Sequence, residues 1–352
     1  MTDLAPPPVA ESVVGRLPVM ADVARLAGVS HQTVSRVVNG QNNLRPATRA
    51  RVEAAIAQLG YRPNNAARAL VTRRSGTIGV VGTAGGFWGP STVHRSVQAA
   101  GRGAGMFVSS VNLPRVTGSE LADAVAHLRD QHVEGIVLIA ANDHALETAA
   151  RSTAQGVPVV VIEGDPARTP WTVGVDQHAG AVLATRHLLD LGHTEVVHVA
   201  GPQEWVEARG RLAGWQDTMH DAGLRTSRVV EGDWTPASGY RAGQEVLARG
   251  DATGVVVAND HMALGLLLAL HEGGVSVPGD VSVVGFDDIP EAPYLIPPLT
   301  TVKQDFGTVG RRAIEILGAA IGGAHPADGP ARTIPPTLVE RRSTAAPRRS
   351  TP

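Results

Sequence analysis

Short apolar runs alternate with helix-patterned stretches over most of this chain, and that alternation limits its possible folds more than any other feature. The runs are 77–82 (TIGVVG), 106–111, 135–140 (GIVLIA), 158–163 (PVVVIE), 195–200 (EVVHVA), 254–259 (GVVVAN) and 281–286 (VSVVGF). Helical patterns fall near 91–101, 119–130, 177–191, 204–222, 237–249, 260–272 and 306–321. Continuous β-branched runs read as strands buried on both faces, and the intervening helices supply the covering layers. Some 265 residues of this grammar exceed one open sheet. The expectation is therefore two doubly wound α/β lobes, with a ligand cleft where strand C-termini face each other. The stretch GRGAGM (101–106) follows a helix and precedes a strand, the reverse of a dinucleotide loop, and reads as a helix stop.

The first 75 residues follow a different pattern. Residues 1–17 are Pro-rich and aperiodic, and are expected to be disordered. Val23, Leu26 and Ala27 then form a helical stripe that Gly28-Val29-Ser30 interrupts after two turns. Ser30 is placed to cap a second short helix carrying Val34, Val37 and Val38, which Asn39-Gly40 stops. A third helix opens with Pro46, carries Val52, Ala55, Ile56 and Leu59, and ends at Gly60. Three short helices with a tight glycine turn between the first two make a helix-turn-helix.

Charge follows the same boundary. The chain's net charge of −2 conceals nine Arg against Asp22 and Glu53 in 18–74, and 17 basic against 29 acidic residues in 75–340. A compact basic module joined to an acidic body suits a head that binds DNA and a body that avoids it. With no cysteine there is no disulfide framework and no thiolate chemistry. His187, His193 and His198 lack the spacing of a hydrolytic zinc site, and no GxSxG elbow or Walker loop occurs, so no enzyme, metal or cofactor is expected. No apolar run is long enough to span a membrane and no export signal opens the chain, so a cytoplasmic protein is expected.

Four blocks occur in the order of a known family. DVARLAGVSHQTVSRVVNG (22–40), YRPNNAARAL (61–70), VANDHMALG (257–265) and VSVVGFDD (281–288) resemble the helix-turn-helix, hinge and effector lobe of the lactose-repressor (LacI) family of bacterial transcription regulators. The resemblance extends over nearly all of 18–343, with RLAGW (211–215), EGDW (231–234) and IPPLTTVKQDF (296–306) adding to it. It implies a DNA-binding domain at 18–62, a hinge at 63–75 and a two-lobed effector and dimerisation domain of periplasmic-binding-protein fold at 76–343. Lobe 1 would comprise about 76–175 and 305–333, lobe 2 about 176–304 and 334–343, and 344–352 a disordered tail. The function implied is a repressor of sugar-utilisation genes that a small β-galactoside-like glycoside releases from its operator. The alternative is a corepressor-dependent regulator of the purine-repressor type.

Within the second helix, His31, Gln32 and Arg36 fall on the outward face, and Gln and Arg pair bidentately with adenine and guanine. The resemblance adds Thr33, Ser35, Asn39 and Asn64 to the DNA-contacting set. It makes Leu70 a minor-groove wedge and Ala67 a small residue where paired hinge helices touch. Val19 and Arg45 depart from the family's helix-start Thr or Ser. In the cleft, Asn259 and Asp287 follow strand ends, Arg211 offers a planar donor fork, and Trp234 offers a face for sugar C–H groups. The resemblance makes these four the effector contacts and adds Glu163 and Gln304. Glu163 stands where a shorter Asp is expected and Ile139 where an Asn is expected, so the sugar is expected to differ. The expected partners are a pseudo-palindromic double-stranded operator, a small sugar and a second copy of the chain, with no membrane. RRSTAAPRRSTP (341–352) has no apolar heptad, so assembly is expected to stop at the dimer.

Overall fold

The computed structural model describes residues 18–38, 44–62, 74–83, 86–114, 116–139, 142–165, 167–325 and 332–348. The chain divides into a unit ending at Ser75 and a second beginning at Gly76.

In the first unit, α1 (Met20–Ala27), α2 (His31–Val38) and α3 (Pro46–Leu59) enclose Val23, Ala24, Ala27, Val34, Val37, Val52, Ala55 and Tyr61. Gly28, at φ +62°, supplies the left-handed residue that ends α1, and Gly60 does the same for α3. Neither α1 nor α3 has a hydroxyl cap. Instead the Val19 N–H donates to the Asp22 carboxylate at 3.0 Å, while Pro46 opens the first turn of α3. Ser30 does cap α2, its Oγ accepting from the Thr33 N–H at 3.2 Å. Leu26, expected in the stripe, is 46% exposed. The small Ala24 takes the inward position, which turns Leu26 to the rim.

The second unit contains two six-stranded sheets. One has the order β11-β5-β4-β3-β1-β2, built from β1 (Thr77–Thr83), β2 (Phe107–Leu113), β3 (Ile136–Leu138), β4 (Val159–Ile162), β5 (Thr172–Val175) and β11 (Thr333–Ile334). The other has the order β12-β10-β9-β8-β6-β7, from β6 (Val196–Ala200), β7 (Val229–Glu231), β8 (Gly254–Val257), β9 (Ser282–Asp287), β10 (Thr300–Lys303) and β12 (Thr337–Val339). All pairings are parallel except β12 on β10. The first sheet is covered by α4 (Trp88–Gly103), α5 (Gly118–Asp130), α6 (Asp143–Ala154) and α11 (Phe306–Ile321). The second is covered by α7 (Gln177–Asp190), α8 (Val206–Asp221), α9 (Pro236–Arg249) and α10 (Asp260–Glu272). After β5, after β10 and between β11 and β12 the chain passes from one sheet to the other, so three strand-end connections join the lobes.

All seven strands anticipated from sequence form, with ends shifted by at most two residues. The unanticipated ones are short or broken by polar residues, as in β7 (VVE) and β10 (TTVK). Helix α6 was also hidden, because Thr148 and Ser152 are buried beside Ala145, Leu146 and Ala149, which erases an apolar stripe. Residues 344–348, expected within a disordered tail, lie against the second sheet. The Ala345 N–H donates to Ser282 Oγ at 3.0 Å, and Arg348 pairs with Asp280 at 2.7 Å. Polar side chains and backbone groups hold this strap, so hydrophobic patterning gave no sign of it.

Candidate functional site

On the head, α2 exposes His31, Gln32 and Arg36 and half-buries Thr33 and Ser35, while Val34 and Val37 are buried beneath them. The Thr33 hydroxyl lies 2.9 Å from that of Ser30, which ties it to the helix start. Asn39, Asn64, Ala67 and Leu70 lie outside the described residues.

In the body, Glu163, Arg211, Trp234, Asn259, Asp287 and Gln304 all line one cleft of about 650 Å³, mouth included. Strand ends deliver four of them. Glu163 follows β4, Asn259 follows β8, Asp287 ends β9 and Gln304 follows β10, while Arg211 projects from α8 and Trp234 sits just before α9. Five described non-glycine residues have positive φ, and three of these line the cleft: Glu163 (+56°), Trp234 (+70°) and Asp287 (+115°). Such conformations persist only where the surroundings enforce them, and they cluster at ligand sites.

Arg211 is the hub. Its Nε donates to Gln177 Oε1 at 2.8 Å, one terminal nitrogen donates to the Ala258 carbonyl, and the same nitrogen lies 3.9 Å from Asp287 Oδ1. The guanidinium stacks 4.0 Å from the Phe286 ring centroid and 5.5 Å from that of Trp234. Gln177 Nε2 donates to Glu163 Oε2 at 3.0 Å and to Gln304 Oε1 at 2.9 Å, and Gln304 Nε2 donates to Asp287 Oδ1 at 2.6 Å. The ring of contacts closes on Arg211. A network whose members hold one another in place fixes the direction of each donor and acceptor before any ligand arrives.

Burial sets the protonation of the acids. It pushes Glu163 up to about 7 against the hydrogen bonds from Val175 and Gln177. It pushes Asp287 up to about 6 against the opposing charge of Arg211. Glu207, near the start of α8, is raised to about 7 by burial and then by the charge of Glu163.

Asn259 has a second duty. Its Oδ1 accepts from the Met262 N–H at 2.9 Å to cap α10, and its Nδ2 donates to the Trp234 carbonyl at 3.1 Å, which holds the unusual backbone of Trp234. The indole lies flat on Gly201, where a Cβ would come within 2.1 Å of it.

Sequence reasoning missed Phe87, Trp88, Gln177, Trp205, Glu207 and Phe306, which line the same cleft. The usable signal was scarcity: the chain has only twelve aromatic residues, and five of them stand on this wall. The histidines have packing roles elsewhere. His198 is buried, held near Val256 O at 3.1 Å and stacked on Trp215, and burial lowers it to about 4. His193 sits between Thr253 and Ser282, and His187 lies 2.9 Å from the Thr344 hydroxyl.

Fixed planar donors and acceptors between aromatic faces suit a polyhydroxylated ring, whose hydroxyls need partners and whose C–H faces need apolar cover. Together with a helix-turn-helix that exposes Gln and Arg, this defines the class of ligand-responsive DNA-binding regulators. The chain belongs to the lacI family of bacterial regulatory proteins. Residues 19–64 match that family's model, and residues 185–344 match the periplasmic binding protein-like domain. It is 36% identical to the lactose operon repressor of Escherichia coli (strain K12), over 94% of this chain and 91% of that one. It is also 36% identical to the HTH-type transcriptional regulator CelR of Thermobifida fusca, over 88% and 93%. Among solved structures it resembles the lac repressor dimer bound to operator and the anti-inducer ONPF, with TM-score 0.85, 35% identity and coverage of 94% and 100%. The CelR–cellobiose complex matches with TM-score 0.69, 33% identity and coverage of 93% and 99%. Among the described residues no helix is long and apolar enough to cross a membrane.

Proposed function

We propose that this protein is a cytoplasmic, non-enzymatic transcriptional repressor of sugar-utilisation genes. It binds a pseudo-palindromic operator as a homodimer and leaves it when a small glycoside enters the cleft. Base readout is assigned to Gln32 and Arg36 on the exposed face of α2, with His31, Thr33, Ser35, Asn39 and Asn64 as further DNA contacts. Leu70 is assigned the minor-groove wedge and Ala67 the close approach of paired hinges.

The observation that carries the effector assignment is the closed ring joining Arg211, Gln177, Gln304 and Asp287, with Trp234 laid over it. Glu163 belongs to the first lobe and Arg211, Trp234, Asn259 and Asp287 to the second, so a bound sugar bridges the lobes and favours one angle between them. A ligand shifts such an equilibrium only by its differential affinity, typically about 1–3 kcal/mol. Relatives support this reading, since one solved structure is of a repressor on its operator and another is of a regulator with cellobiose. The test is operator titration with and without β-galactosides and cellobiose, in wild type and in Asp287→Asn. Wild type is expected to lose operator affinity with the effective sugar, and the variant to lose that response. Tighter operator binding with sugar would assign the corepressor mechanism instead.

A further inference from the structure

We propose that Glu207 is a specificity-determining residue of the cleft, its Oε2 accepting a hydrogen bond from a hydroxyl of a neutral saccharide. This rests on the saccharide reading of the cleft above.

The argument is a count of donors. Glu207 Oε2 is buried and has no hydrogen-bond partner among the described residues. The carboxyl is served by the backbone N–H of Glu207 itself, and most N–H groups of the nearby side chains are directed elsewhere. Arg211, one turn along α8, is directed at Gln177, Ala258 and Asp287. Both N–H groups of the Gln177 amide are used, one on Glu163 and one on Gln304. One N–H of Gln304 is used on Asp287 and one of Asn259 on Trp234. A buried carboxylate oxygen requires a donor, and a molecule entering the cleft can bring one. Trp205, two residues before Glu207, lines the same cleft and offers a face for the ring that carries the hydroxyl.

The surrounding charges define the ligand further. The groups facing Glu207 are Glu163 on the first lobe, Asp287 at the end of β9 and Arg211 on its own helix. Three carboxyls face one guanidinium, which is already beside Asp287. Above about pH 7, where these raised carboxyls ionise, an anionic ligand such as a sugar phosphate or a uronate therefore meets uncompensated like charge, whereas a neutral sugar does not.

The empty cleft holds a proton on Glu207 through part of the neutral range, since burial and Glu163 raise it to about 7. A hydroxyl that donates to Oε2 stabilises the ionised form, so binding transfers that proton from the carboxyl to solvent. The contribution of Glu207 to affinity therefore grows by up to tenfold per pH unit below about 7 and levels off above it. Glu163 and Asp287 titrate in the same region, so the share of Glu207 must be isolated by substitution.

The test is isothermal titration calorimetry of the full chain with lactose, methyl β-galactoside, cellobiose and glucose 6-phosphate. Titrations are run from pH 6 to 8 in two buffers of different ionisation enthalpy. Wild type is expected to bind at least one neutral sugar with proton release and to reject the phosphate at pH 8, where the carboxyls are ionised. Glu207→Gln is expected to keep its fold, seen as an unchanged or raised ligand-free melting temperature. It should lose roughly tenfold or more in affinity, as for a lost hydrogen bond to a charged group, and show a shallower pH dependence. If Glu207→Gln matches wild type in affinity and proton release, the assignment of Glu207 is overturned and the saccharide cleft stands. If wild type binds none of the neutral sugars, the saccharide reading falls and the role of Glu207 falls with it.

Discussion

Replacing Arg211 with methionine puts the architecture of the cleft at risk, and its cost can be worked from the contacts. Arg211 is 5% exposed and Asp287 7%, so the pair sits where water screens little. Methionine keeps an aliphatic stem of similar length and removes the guanidinium that stacks on Phe286 and serves Gln177, Ala258 and Asp287. Removing one partner of a buried ion pair costs about 3–5 kcal/mol, because the other charge remains buried and uncompensated. At about 3 °C per kcal/mol for a large domain, the body should melt roughly 10 °C lower. Tryptophan fluorescence reads this transition cleanly, since all five tryptophans lie beyond Gly76. The loss should shrink near pH 5.5, where Asp287 can take a proton. Adding Asp287→Asn should recover part of it, within the coupling of roughly 0.5–3 kcal/mol usual for contacting residues. A shift below 2 °C at pH 8 would show that Arg211 does not hold the network together.

Two further outcomes concern the head and the acidic cluster. Arg36→Ala should weaken operator binding by about 1–3 kcal/mol and relax preference at one base per half-site, and a binding selection that returns the wild-type motif would contradict this. Glu163 and Glu207 are each raised from 4.5 to about 7, so the folded state holds more protons than the unfolded chain between those values. Stability should therefore fall as pH rises from about 4.5 to 7 and level off above, by at most about 3 kcal/mol per group. Ligand-free melts of wild type against the Glu163→Gln, Glu207→Gln double variant check this, the variant being expected to flatten that stretch of the curve.

The fold was legible because central strands such as β3 and β8 are short buried runs rich in Val and Ile, and the head was legible because Gly28, Ser30, Pro46 and Gly60 mark its helix ends. Where burial is polar the pattern failed, as in α6 with Thr148 and Ser152 and in the strap at 344–348. In the cleft, strand ends pointed to Asn259 and Asp287, since the topology carries them to one edge. Gln177 and Glu207 escaped because each stands near the start of a helix with nothing local to distinguish it, and their partners come from elements distant in sequence, among them Glu163 of the first lobe. The double duty of Asn259, capping α10 while holding Trp234, was likewise invisible without the tertiary contact.

The most direct test of the central claim is operator affinity as a function of sugar. Full-length protein would be titrated onto its selected operator, with and without saturating β-galactoside or cellobiose, in wild type and in Asp287→Asn. The account predicts a fall of about 5- to 150-fold for wild type with the effective sugar, matching a coupling of about 1–3 kcal/mol, and no fall for the variant. An operator affinity that rises with the sugar, or an Asp287→Asn protein released as readily as wild type, would contradict it.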